Sequence, residues 1–102
     1  MARLLVMYKT PHDAAAFDNH YSEKHIPLAK KIPGVRSYEI SKGVVGTPGG
    51  PSAYHLVAII QFDNLAAIQE AFASAEGQAA VADVKTFATG GVEIYLFDSG
   101  DA

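Results

Sequence analysis

With 102 residues, 49% of them apolar and 19% charged, the chain is the size of one domain spanning residues 1–102, and it carries more apolar surface than one small core needs. A formal charge of -3 with no basic run longer than Lys30-Lys31 excludes a phosphate-backbone binder, so no nucleic-acid partner is expected; the lack of cysteine excludes disulfides, thiolate metal sites and a cysteine nucleophile. No apolar run approaches the roughly 20 residues that span a bilayer, and the start Met1-Ala2-Arg3-Leu4-Leu5-Val6 passes straight into a strand pattern, so a cytoplasmic protein without a membrane partner is expected.

In chain order, residues 3–9 read as a strand that carries Tyr8. Pro11 sets a turn and Asp13 caps a helix expected over residues 14–32. At about 100° per residue, Phe17, Tyr21, Leu28 and Ile32 share one side of that helix, with His25 at the edge of the stripe. Pro27 removes an amide and presses its ring on the preceding turn, so a kink is expected there, beside His25. Residues 35–43 read as a second strand with Tyr38 and Ile40 on one face.

The stretch from Gly43 to Ser52 is mostly Gly and Pro and reads as a loop or wide hairpin connection, with a lid over a site as the alternative. Residues 53–62 form the strongest strand pattern: Tyr54, Leu56, Ala58, Ile60 and Phe62 on one face, Ala53, His55, Val57, Ile59 and Gln61 on the other. Both faces are apolar enough to be buried. Asp63-Asn64 can cap a helix over 65–73, Ser74 and Gly77 mark a break, a helical piece follows over 78–87, and residues 92–97 alternate as a last strand.

The order βαββαβ predicts an α+β, ferredoxin-like fold: a four-stranded antiparallel sheet with both helices on one face. The uncovered face then calls for a second copy, and a homodimer is expected.

Two segments carry a resemblance: Phe17, Tyr21, His25, Pro27 and Leu28 in the first helix, and Ser74-Ala75-Glu76-Gly77, Asp83 and Phe87-Ala88-Thr89-Gly90 later. Together they resemble the EthD-like family of the dimeric α/β barrel superfamily. That resemblance implies two sheets facing each other as a barrel with helices outside, and a pocket between helix and sheet in each subunit. It also implies a small hydrophobic ligand from catabolism, such as ether degradation, or from secondary metabolism, because the family takes its name from a bacterial ether-degradation cluster. By the same resemblance His25 is the helix histidine at the pocket and Tyr21 its neighbour.

The chemistry centres on these two residues. An imidazole titrates near neutrality, which suits His25 to move a proton; Tyr21 can donate to a carbonyl or enolate oxygen. The competing readings are a histidine bonded to backbone and a core tyrosine with its hydroxyl at the surface. Phe17, Leu28, Tyr38 and Tyr8 are expected as pocket walls. His55 either lines a cavity or bonds within a dimer seam. Asp83 reads as a cap or solvated carboxylate, with orienting a histidine as the alternative, and His12 and His20 read as surface residues.

His20 and His25 lie about 140° apart on an ideal helix, too far to share one ion, so no metal and no cofactor are expected; haem held by His25 or His55 is the weaker alternative. The function expected is a cofactor-independent enzyme of isomerase, dehydratase or oxygenase type acting on a hydrophobic cyclic or carbonyl compound by proton transfer. A non-catalytic protein that binds or sequesters such a compound is the alternative.

Overall fold

The computed structural model describes all 102 residues. Alternation in the first strand, β1 (Ala2–Lys9), buries Ala2, Leu4, Val6 and Tyr8 and leaves the residues between them half-exposed. Asp13 then caps α1 (Ala14–His20) by accepting from the Ala16 amide at 3.1 Å. A wider turn follows over Tyr21–His25, in which the Ile26 amide donates five residues back, to the Tyr21 carbonyl. Regular geometry resumes in α2 (Ile26–Lys30).

The departure from α geometry is therefore not a kink at Pro27 but a π turn just before it. A proline ring strikes the carbonyl four residues back in a tight helix, and one surplus residue in the preceding turn moves that carbonyl away. Pro27 itself falls in the first turn of α2, where a missing amide costs little.

The remaining elements are β2 (Ser37–Ile40), the two-residue strands β3 (Gly46–Thr47) and β4 (Gly50–Pro51), β5 (Tyr54–Phe62), α3 (Leu65–Ala73), α4 (Ala75–Phe87) and β6 (Val92–Asp98). The Gly/Pro-rich stretch is thus a small hairpin, with Gly46 paired to Pro51 and Thr47 to Gly50. Ser74 caps α4 by accepting from the Gly77 amide at 2.9 Å. Gly77 accordingly does not break a helix as its composition predicts: it lies in the first turn of α4, where the backbone of α3 passes too close for any side chain.

The sheet is antiparallel in the order β2-β5-β1-β6, and the helices cover one face, which makes the fold α+β and ferredoxin-like. Leu4, Val6, Leu56, Ala58, Ile60 and Phe62 meet Phe17, Tyr21, Ile68, Ala71 and Phe87 in one core. Within a single chain only this face of β5 is buried. Val57, Ile59 and Gln61 stay half-exposed, and on β6 Tyr95 and Phe97 keep 52% and 43% of their surface.

Between β1 and β5 the register slips: Tyr8 pairs with Leu56 but Lys9 pairs with Tyr54. A bulge of this kind turns consecutive side chains off their alternation. Tyr54 consequently hydrogen-bonds Glu93 on β6, while His55 reaches α1 and bonds Asp18 at 2.7 Å. This reverses the faces that strict alternation gives these two residues.

Candidate active site

The side chains with acid/base chemistry gather between α1, the π turn and α4. Tyr21 and His25 lie one turn apart with ring centroids 5.2 Å apart, and both are buried, His25 with 5% of its surface exposed. Phe87 lies against both rings, 4.9 Å from the imidazole and 5.8 Å from the phenol.

Asp83, on the same face of α4 as buried Ala80 and Phe87, reaches this group. It accepts from Nδ1 of His25 at 3.0 Å and from Nε2 of His20 at 2.9 and 3.1 Å. Two sequence expectations are corrected here. Asp83 is neither a cap nor a solvated carboxylate, and His20 is not a free surface residue: its ring stacks on Phe87 at 5.1 Å. An ideal helix separates residues 20 and 25, but the π turn closes on residues five apart and brings both rings to one carboxylate.

The charge state follows from burial and partners. A carboxylate only accepts, so each histidine nitrogen facing it carries a proton. Burial raises the Asp83 carboxyl, but the hydrogen bonds from His20 and then His25 outweigh it and hold the group below its ordinary 3.8, as an anion. For His25 burial is the largest influence and lowers its pKa below the ordinary 6.5, against the pull of Asp83. Near neutral pH the ring is therefore neutral, with Nδ1–H on Asp83 and a lone pair on Nε2.

That ring borders a cavity of about 50 Å³ between sheet and helices, with an apolar lining that includes Tyr8, Ala29, Ile60 and Val84. Nε2 of His25 has no partner within the protein. Tyr21 does not have its hydroxyl at the surface; it is 2.5 Å from that of Tyr38. Burial, first, and then the neighbouring phenol raise the Tyr21 pKa far above its ordinary 10.0, so the pair stays protonated.

Of the residues expected to line a pocket, Tyr8 borders the cavity, Tyr21 and Tyr38 pack in or against the core, and Phe17 lines a separate cleft of about 220 Å³ with His12, His20 and Phe87. Leu28 does not join them. The surplus residue of the π turn rotates α2, so Ala29 points inward and Leu28 lies against the first turn of α4, near Ala75 and Ala79. His55 lines a separate cleft of about 440 Å³ with Asp18, Ser41 and Ser52, beside the β3–β4 hairpin.

No set of three or more His, Asp and Glu side chains is placed to hold a metal ion. No helix is long and apolar enough to cross a membrane.

The charges make a prediction. Because the folded state resists protonating His25, the unfolded chain takes up that proton first, and stability should fall as pH drops through 6.5 toward the lower folded value. The contribution of Asp83, whose folded value is also depressed, is lost only further down, below 3.8. Thermal melts from pH 7 to 5 should therefore show a steeper loss in the wild type than in His25→Gln; parallel slopes would contradict a neutral His25.

Helices on one face of a four-stranded antiparallel sheet, with an imidazole–carboxylate pair at an apolar cavity under them, make this a small α+β protein of ferredoxin-like fold. Residues 9–91 match the EthD domain, and the chain belongs to the EthD family. It is 47% identical over 100 residues to an uncharacterized 11.0 kDa protein of the thcB-thcC intergenic region of Rhodococcus erythropolis, covering 96% of this chain and 94% of that one. The crystal structure of an ethyl tert-butyl ether d (EthD) family protein from Bacillus halodurans superposes with a TM-score of 0.90 at 33% identity, covering 98% of this chain and 99% of that chain. SnoaB, a cofactor-independent oxygenase from Streptomyces nogalater, shares the fold alone, with a TM-score of 0.68 at 14% identity over 99% of this chain and 94% of that one.

Proposed function

We propose that this chain is a cofactor-independent enzyme that moves a proton on a hydrophobic cyclic or carbonyl compound, with His25 as the acid/base group. One observation carries the reading: a buried, neutral imidazole has Nδ1–H fixed on the Asp83 carboxylate and its other nitrogen unpaired at an apolar cavity. A base so placed needs no reorientation before it accepts a proton, and the imidazolium that forms is stabilised by the carboxylate 3.0 Å away. Tyr21 packs against the ring from the π turn, with its own hydroxyl held by Tyr38 on β2. The EthD family and the occurrence of cofactor-independent chemistry in SnoaB support a small-molecule role.

The test follows α-proton exchange of cyclopentanone in D₂O by NMR. Acceleration by the protein over buffer is expected. Saturable binding without acceleration would make the chain a binding or sequestering protein instead.

The same reading places a second copy on the bare sheet face. Tyr95, Phe97, Val57 and Ile59 form an apolar surface there that a lone chain leaves wet. Ile59→Lys, which sets an unpaired charge in such a seam, should turn a dimer into a monomer at micromolar concentration with the fold retained. A wild type that sediments as a monomer would overturn the assembly.

A further inference from the structure

Sequence pattern assigns Tyr8 only a place in the wall, but its hydroxyl is in an unusual position. The residue is 1% exposed, and its ring is wedged among Phe17, Tyr21 and Phe87 at centroid distances of 5.4, 5.6 and 5.4 Å. Its oxygen has no hydrogen-bond partner, yet every side-chain nitrogen or oxygen sealed in the interior has one. The Tyr8 hydroxyl is therefore not sealed in, and the residue lines the same cavity that His25 borders. Two residues with unpartnered polar atoms, a hydroxyl and an imidazole nitrogen, thus line one otherwise apolar space.

We propose that Tyr8 is a catalytic residue that holds the oxygen of an uncharged ketone, ester or lactone, while His25 takes the proton from the carbon beside that carbonyl. The inference rests on the reading of His25 as the base. The proton passes from carbon to Nε2 of His25, the C–H electron pair forms the carbon–carbon double bond of the enolate, and the carbonyl π pair moves to the oxygen held by the Tyr8 O–H. Return of the proton from His25 to the same or another carbon closes the cycle, with no oxidant or reductant needed.

Charge argues for a neutral ligand. The lining holds no cation, and the nearest ionised group is the Asp83 carboxylate behind His25. An anionic ligand would lose its hydration with no counter-charge in place. Burial, then Tyr38 and Asp83, keep the Tyr8 phenol protonated and so able to donate. The body of the ligand has an apolar way out past Val81 and Ile94, which line the cavity and reach the surface.

Tyr8→Phe keeps the ring and removes only the oxygen, and it can be tested with carbonyl-labelled cyclopentanone against cyclopentane. The variant should bind the ketone roughly fivefold more weakly, the effect of one hydrogen bond, and bind cyclopentane unchanged. Its bound carbonyl stretch should rise toward the value in an apolar solvent, and α-proton exchange should slow by roughly 10²- to 10³-fold. An unchanged carbonyl stretch, equal loss of both probes, or failure of the wild type to bind the ketone would overturn the role of Tyr8. If the stretch moves as expected but wild-type protein does not speed exchange, Tyr8 keeps its role and His25 loses its own. If exchange is fast and equal in both proteins, His25 stands and Tyr8 falls.

Discussion

His25→Gln is expected to slow α-proton exchange by roughly 10²- to 10⁴-fold while changing ligand affinity little. Glutamine nearly fills the space of the imidazole, and its amide can still donate to Asp83, so the carboxylate is not abandoned in the interior. It cannot accept a proton near neutral pH. Loss of rate with retained binding would therefore isolate the proton-transfer step from packing. If the ring were only a structural support, the variant would melt lower and keep its exchange rate, because the amide cannot reproduce the packing of the ring against Tyr21 and Phe87. A fully active His25→Gln protein would remove the imidazole from the chemistry.

The largest effect on stability is expected from Gly77→Ala. A Cβ at Gly77 would lie 1.8 Å from the carbonyl oxygen of Ala71 and 2.8 Å from its carbon. Both are backbone atoms at the end of α3, so no side chain can swing aside, and the two helices must part. Overpacking of this kind costs about 3 kcal/mol or more, which in a chain of this size lowers the melting temperature by roughly 10–20 °C. Gly49→Ala is the control, since a Cβ there meets nothing within 4 Å. Equal melting temperatures for the two variants would show that the α3–α4 junction is loose. Because α4 carries Asp83, the Gly77 variant should also disturb His25 before it unfolds.

These effects sort along the line between what pattern reveals and what it hides. Alternation in β1, β5 and β6, the caps Asp13 and Asn64, and the apolar stripe through Phe17 and Tyr21 specify the elements and the burial of His25 from local sequence. The two irregularities leave little local trace. The bulge that turns His55 toward α1 and the π turn before Pro27 each add one residue without altering composition. Asp83 is hidden for another reason: its partners lie 58 and 63 positions away, and only the packing of α4 on α1 joins them. Its position between buried Ala80 and Phe87 on one side of α4 was the available signal. Leu28 illustrates the cost of assuming a continuous helix, since a phase error of one residue exchanged it with Ala29.

The widened Tyr21–His25 turn makes the length of this segment part of its chemistry. In an uninterrupted α-helix over these same residues, an apolar stripe would still cover the sheet. Yet each side chain beyond the turn would rotate by about 100° relative to its present direction. His20 and His25 could then no longer converge on Asp83, and the carboxylate would serve one ring at most. For this chain, the geometry of the turn between two histidines is thus as informative as their identity.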